Sequence, residues 1–322
     1  MPDIFGTILW PIKWAIEAIL VTFHTLLTAI GMNPDDGLTW VLSIVGLVLV
    51  VRAALIPIFV KQIKSQRRMM EVAPQIKKIQ DRYKGKKDQF SREAMSRETM
   101  ELYKRTGTNP LSSCLPLLIQ MPIFFGLFSV LQNAQHELVG VGLLNQALSL
   151  SFGESSLFGA PLKLAISTAD GNVLVIVIAS LMVVLMTASQ FITQKQIMSK
   201  NQSPEMKASP TYKQQQMLLY ILPLVFAFSG FTFPLGVMFY WLTSNIWTMV
   251  QQFIVIRNMP TPGSEAALAR EVRMARKNQR RGITVTEIES TSEAAAAAEA
   301  KKTQRQQPVN KNRSKKQGGN KK

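Results

Sequence analysis

A chain of 322 residues with 37 Lys/Arg against 20 Asp/Glu, net +17, is long enough for a sizeable folded unit, yet its apolar residues gather in runs such as 40–51, 173–184 and 218–228. Runs of this kind exclude an ordinary soluble domain, where charges interrupt the apolar face at helical spacing, and a run of about 20 residues matches a bilayer core of about 30 Å. The single cysteine, Cys114, excludes an internal disulfide, and His24 and His136 lie far apart and near no cysteine. Both histidines are expected at the surface. With no Gly-rich phosphate loop, GxSxG or HExxH, nothing points to an enzyme, and no catalytic residue, metal or cofactor is expected.

Residues 4–31 carry Phe5, Ile8, Leu9, Ile12, Ile16, Ile19, Leu20, Phe23, Leu27 and Ile30 at three-four spacing, with Thr7, Lys13, Glu17, His24 and Thr28 on another face. That pattern predicts an amphipathic interfacial helix rather than a full span. A secretory signal is not expected, because no basic region precedes the apolar stretch and no A-x-A site follows it. Asn33-Pro34-Asp35-Asp36-Gly37 breaks the helix.

A first span is expected at 38–60, interrupted by Arg52 and Pro57. Residues 61–109 are charged and helical. Ile63, Met69, Val72, Ile76, Ile79 and Tyr83 mark one helix, kinked at Pro74. Lys84-Gly85-Lys86-Lys87 turns the chain, and Phe90, Ala94, Thr99, Leu102 and Tyr103 mark a second helix, which makes an antiparallel hairpin. Further spans are expected at 111–131, 172–192, 217–231 and 235–256. The linker 133–171 reads as irregular, and Thr232-Phe233-Pro234 as a tight turn between the last two spans. From Arg257 the composition turns to Ala, Arg, Lys, Gln and Ser, a basic and largely disordered tail. The fold class is therefore an all-α polytopic membrane protein. It has an N-terminal segment 1–37, a five-helix core 38–256 containing the hairpin 61–109, and a tail 257–322.

Charge orients these segments. Residues 61–109, 193–216 and 257–322 hold 34 Lys/Arg, whereas 1–37 and 133–171 hold two, Lys13 and Lys163. Five spans separate the two groups without exception, so the N-terminus is expected outside and the C-terminus in the cytoplasm.

Arg52 lies eight residues before Val60, about 12 Å from that end of its span at 1.5 Å per residue. An arginine at depth costs from about 3 to more than 10 kcal/mol. None of the five expected spans holds an Asp or Glu to pair with it. What remains is hydration or hydrogen bonding to neutral groups, which points to a water-filled cavity. Gln120, Gln190, Ser244 and Asn245, with Tyr240 and Trp241 beside them, are candidates for lining it, and equally for hydrogen bonds that hold helices together. A secondary transporter or channel with Arg52 as anion site is the alternative, disfavoured by the lack of an inverted repeat. In the tail, Arg270, Arg273, Arg276, Lys277, Arg280 and Arg281 cluster on one expected helix. Their partner is either anionic lipid or ribosomal RNA.

Three segments carry a resemblance. Val51-Arg52-Ala53-Ala54-Leu55-Ile56-Pro57 resembles the arginine-bearing first core helix of the YidC/Oxa/Alb insertase family. Asn109-Pro110-Leu111, with Cys114-Leu115-Pro116-Leu117-Leu118-Ile119-Gln120-Met121-Pro122-Ile123-Phe124, is similar to its most recognisable segment. Phe233-Pro234-Leu235-Gly236 and Tyr240-Trp241-Leu242-Thr243-Ser244-Asn245 resemble its last span. The resemblance covers about residues 5–256, and the large periplasmic domain of Gram-negative members is missing, as in Gram-positive types. It implies a bacterial plasma-membrane insertase that passes nascent membrane proteins through a hydrophilic groove containing Arg52, without a nucleotide or covalent step. It further implies that the tail holds ribosomes, with the Sec translocon a candidate partner alongside membrane lipids.

Overall fold

The computed structural model describes residues 4–86, 88–109, 115–207 and 230–282, with isolated positions between 212 and 228. The chain divides into two compact units, Met1–Leu268 and Ala269–Lys322. In the first, α1 (Ile4–Ala29) leads through the Asn33–Asp36 break into α2 (Gly37–Arg82), whose first amide donors are capped by the Asp36 carboxylate (3.4 Å to the Leu38 N–H). Then come α3 (Gln89–Thr106), α4 (Leu115–Gln135), α5 (Gln146–Glu154), a two-stranded hairpin of β1 (Ser156–Leu157) and β2 (Ala160–Pro161), α6 (Val173–Lys200), a single turn α7 (Pro204–Lys207) and α8 (Leu235–Asn258). The last helix, α9 (Glu265–Arg280), runs into the second unit.

Leu9–Ala29, Gly37–Met69 and Val173–Lys200 are long and apolar enough to cross a membrane. The expected spans 111–131 and 235–256 fall on α4 and α8, while 217–231 is only partly described, and Cys114 and Pro223 lie outside the described residues. The first expected span and the first arm of the charged hairpin are one continuous 46-residue helix carrying both Pro57 and Pro74.

The core forms where α1 packs on α2 and α4, and α8 packs on α2 and α6. Trp40, Ile44, Leu47, Leu131, Leu235 and Met238 are fully buried there with Leu20 of α1. Gly46 lets α1 approach, since a Cβ at that position would meet the Phe23 ring at 2.5 Å.

Two sequence expectations are corrected. Glu17 and His24 do not lie on a solvated face of α1: they are 1% and 3% exposed. The Glu17 carboxylate accepts the N–H groups of Val141 (2.9 Å) and Gly142 (2.6 Å), which binds α1 to the linker after α4. His24 Nε2 bonds the Pro34 carbonyl at 2.9 Å, and its ring stacks on Trp40 at 4.0 Å. Second, the linker 133–171 is not irregular. It buries Leu144, Phe152, Leu157, Ala160, Leu162, Ala165 and Ala169 and offers its carbonyls to the start of α8. Leu235 N–H donates to Leu164 (2.9 Å) and Gly236 N–H to Leu162 (3.0 Å). Amide donors left over at a helix start have no water partner inside a bilayer, so this docking satisfies what lipid cannot. A Cβ at Gly236 would meet the Phe152 ring at 3.0 Å, so any larger residue would have to push that ring aside. The basic cluster of the tail falls on a helix, Glu265–Arg280, and residues 283–322 lie outside the described residues.

In the hairpin, α3 lies against the far half of α2. Val72 and Ile79 meet Leu102, with Ile76, Tyr83 and Met95 around them. Phe90, expected on the inner face, is exposed because the contacting stripe on α3 starts one turn later, at Met95. Arg82 pairs with Glu98 (2.9 Å), and the Tyr83 hydroxyl donates to the same carboxylate (2.8 Å), which pushes the phenol above its ordinary pKa. Asp88 caps α3 by accepting the Ser91 N–H at 2.8 Å, and that bond holds its carboxyl below the usual aspartate range. A lowered folded-state pKa means that the cap is fully present at neutral pH. It is lost as pH falls from the ordinary aspartate range through the lowered value. Amide exchange at Ser91 and Arg92, corrected for intrinsic rates, is therefore expected to accelerate in that acid window. Asp88→Ala should show the fast exchange at all pH values, and Asp88→Asn, which still accepts the bond, should remove the acid dependence.

Candidate functional site

Between residues 37 and 60, α2 carries one charge, Arg52. Its Nη2 donates to the hydroxyl of Ser244 on α8, 192 residues further along the chain, and its guanidinium carbon lies 6.0 Å from the centre of the Phe59 ring, at the outer limit of a cation–π contact. Tyr240, one turn before Ser244, is buried and lines one cleft with Arg52 and with Gln120 of α4. Three helices thus bring four polar side chains together: Arg52, Gln120, Tyr240 and Ser244.

The arrangement follows from helical spacing. Tyr240 and Ser244 are four residues apart and share one face of α8, and the same face meets α2 because Val237 and Tyr240 belong to the buried core. A cleft at this point is walled by Leu47, Val48, Val51 and Leu55 of α2, Ile16 of α1 and Ile123 and Leu127 of α4, with Arg52, Gln120 and Tyr240 as its polar lining. Its free volume is about 10 Å³, the space of roughly one water. Among the described residues no carboxylate forms an ion pair with Arg52; the pairs present are Arg82–Glu98 and Lys163–Glu137.

The other named residues lie elsewhere. Trp241 points into an aromatic cluster, 5.8 Å from the Phe124 ring and 5.5 Å from that of Phe233, with Phe128 adjoining. Asn245 is half-buried, and its amide nitrogen has no hydrogen-bond partner. Gln190 sits half-buried on α6 beside Ser189, whose hydroxyl returns to the Met186 carbonyl. Gln62, which the sequence reading did not single out, is 3% exposed with both amide atoms unpaired. It lies two positions beyond the expected end of its span, where a glutamine reads as an ordinary surface residue. Arg270, Arg273, Arg276, Lys277 and Arg280 are on α9 and Arg281 follows it, all exposed. No group of three or more His, Cys, Asp or Glu side chains able to hold a metal occurs among the described residues.

Long apolar helices, an almost strand-free fold and a lone arginine held between helices define an all-α, multi-pass membrane protein. Residues 32–262 match the family model described as 60Kd inner membrane protein. The chain is 44% identical over 322 residues to a protein of Tropheryma whipplei (strain Twist) named membrane protein insertase YidC, covering 97% of each chain. Proteins of the same name are similar in Bifidobacterium longum (37%, covering 96% of this chain and 95% of that one) and Streptomyces avermitilis (44%, covering 83% and 61%). The chain belongs to the 60Kd inner membrane protein family, and the bacterial plasma membrane is its location.

The hydrogen bond between Arg52 and Ser244 makes a testable claim. Ser244→Ala is expected to destabilise the protein by on the order of 1 kcal/mol, and by much less in an Arg52→Ala background. Unfolding of the four proteins of this cycle in detergent measures the coupling. Strictly additive losses would mean that the two side chains do not support each other.

Proposed function

We propose that the protein is an insertase that moves nascent membrane proteins into the plasma membrane through a polar groove opening around Arg52, Gln120, Tyr240 and Ser244. Trp241, Asn245 and Gln190 would flank the path. The observation that carries this reading is a single positive charge, held by a neutral hydroxyl and walled by aliphatic side chains, at the meeting of α2, α4 and α8. Family membership supports it, since similar proteins bear the insertase name.

The physical problem is the polar tail that flanks a client's hydrophobic segment. Entry of the hydrophobic segment into lipid is downhill, whereas carrying the tail across hydrocarbon is the barrier. A fixed charge lowers it by attraction. Two opposite unit charges 4 Å apart interact by about 1 kcal/mol in water but about 4 kcal/mol at an effective dielectric near 20. The aliphatic walls keep Arg52 in the second regime, and its neutral partner leaves the positive field unspent. The one-water cleft would be the closed form of the groove, which a client widens as it enters.

In the proposed arrangement the segment 1–37 and the linker 133–171 face outward. Five spans form the core 38–256, and the hairpin 61–109 and the tail 257–322 face the cytoplasm. The sign alternation of Lys/Arg supports this orientation. The basic tail suits ribosomal RNA as a partner through phosphate contacts, and the hairpin offers a surface for client delivery or for the Sec translocon. No step requires a nucleotide, and the activity is not enzymatic.

Insertion into proteoliposomes of matched clients that differ only in the charge of the translocated tail tests the role of Arg52. Arg52→Lys, which keeps the charge but loses the planar fork, is expected to retain most activity. Arg52→Ala and Arg52→Glu are expected to fail with acidic tails while sparing neutral ones. Equal losses for both clients in a destabilised protein would leave Arg52 a structural residue.

A further inference from the structure

The segment between α8 and α9 is pinned to the end of α6. Thr261 N–H donates to Asn201 Oδ1 at 2.9 Å, the Ser264 hydroxyl donates to the Thr261 carbonyl at 2.7 Å, and Thr261 and Ser264 are both buried. Ser264 Oγ then accepts the Ala267 N–H (3.2 Å), which caps α9. Asn201 is the residue that closes α6, and Met259 closes α8. The start of α9 is therefore fixed at the level where two long apolar helices both end, not carried off on a free linker.

The helix that starts there has two unlike faces. At 100° per residue, Leu268, Val272 and Ala275 share one side, while Arg270, Arg273, Lys277, Arg280 and Arg281 fall on the opposite side and Arg276 on the boundary. Residues 268–277 are all exposed, Leu268 at 61% and Val272 at 52%. A cationic face beside an aliphatic stripe complements one surface in both respects: phosphate headgroups above acyl chains. RNA has phosphates but nothing to receive Leu268 and Val272, and α9 carries no aromatic side chain to stack on bases.

We propose that α9 lies flat on the anionic lipid surface of the cytoplasmic leaflet, with Leu268 and Val272 dipping between headgroups and the basic face on their phosphates. This rests on the reading that α6 and α8 cross the bilayer. It divides the tail, because residues 301–322, with nine Lys/Arg and no Asp/Glu, remain for phosphates of the ribosome.

The test uses the full chain with Cys114→Ser and single nitroxide labels placed by Phe253→Cys, Leu268→Cys, Val272→Cys or Lys277→Cys, reconstituted in vesicles of phosphatidylglycerol or of phosphatidylcholine. In phosphatidylglycerol, the labels at 268 and 272 are expected to be open to oxygen and shielded from a water-soluble nickel chelate, with the label at 277 the reverse. The contrast between 272 and 277 is expected to collapse in phosphatidylcholine, and in phosphatidylglycerol to weaken with added salt, which screens the headgroup attraction. Equal nickel access at 272 and 277 in phosphatidylglycerol vesicles would overturn the proposal. So would shielding that appears only when ribosomes are added, which would make α9 an RNA surface. The label at 253, on an exposed position of α8, separates the two levels. If it is itself open to nickel, the span reading falls and the lipid surface with it. If it is buried in lipid while 272 is wet, the lipid assignment of α9 alone is wrong.

Discussion

One unpaired positive charge sets the terms for everything around it. Arg52 occupies a helix with no other charge between residues 37 and 60, and the partner it has is a hydroxyl, Ser244. A carboxylate in that position would neutralise the guanidinium and hold it as a structural ion pair. A hydroxyl instead satisfies one donor and leaves the charge intact. Among the described residues Ser244 is the hydrogen-bond partner of the half-buried guanidinium, and the adjoining cleft has room for about one water. A charge held among aliphatic walls with a neutral partner is expensive, and intramembrane charges usually serve transport rather than stability. The proposed insertase mechanism uses that imbalance, since an acidic client tail supplies the missing counter-charge for as long as it stays.

For such a site to persist, the helices bearing it must be held firmly elsewhere. The opposite end of the core does this. The linker between α4 and α6 folds over the starts of α6 and α8, accepts the N–H groups of Leu235 and Gly236 on its carbonyls, and is clamped to α1 by the buried carboxylate of Glu17. Trp40 joins the same cap through His24, Phe152 and Ser151. The molecule is therefore tight where its helix ends must be sealed from lipid. Buried polar atoms stand unpaired at Gln62 and Asn245, and also at Gln135 beside Gly236.

Much of this was legible from residue order. Hydrophobic runs and proline-glycine breaks located most of the helices, and the isolation of Arg52 singled it out as a candidate before any contact was known. Gln120, Tyr240 and Ser244 were on the expected polar set and do meet at Arg52. Trp241 was placed with them because it adjoins Tyr240, but successive residues on a helix point about 100° apart, and Trp241 turns into the phenylalanine cluster. The buried state of Glu17 and His24 was not legible, because their partners are backbone groups more than 100 residues away for Glu17 and across a turn for His24. Helical periodicity assigns a charged residue to the wet face by default. The linker was misread for a related reason: short elements rich in Gly and Ser carry no periodicity, and they order here only because the bundle supplies a surface for Phe152 and Leu162 to fill.

The central claim is that the field of Arg52, acting inside the bundle, draws a client's polar tail into contact with Gln120. A photoreactive residue substituted for Gln120, in ribosome-bound insertion intermediates stalled at successive lengths, reads that contact directly. The expected result is a crosslink to the acidic tail at an intermediate length. It should disappear in Arg52→Ala and return in Arg52→Lys. A crosslink equally strong in Arg52→Ala, or client contacts only on the lipid-facing side of the bundle with none at position 120, would contradict it.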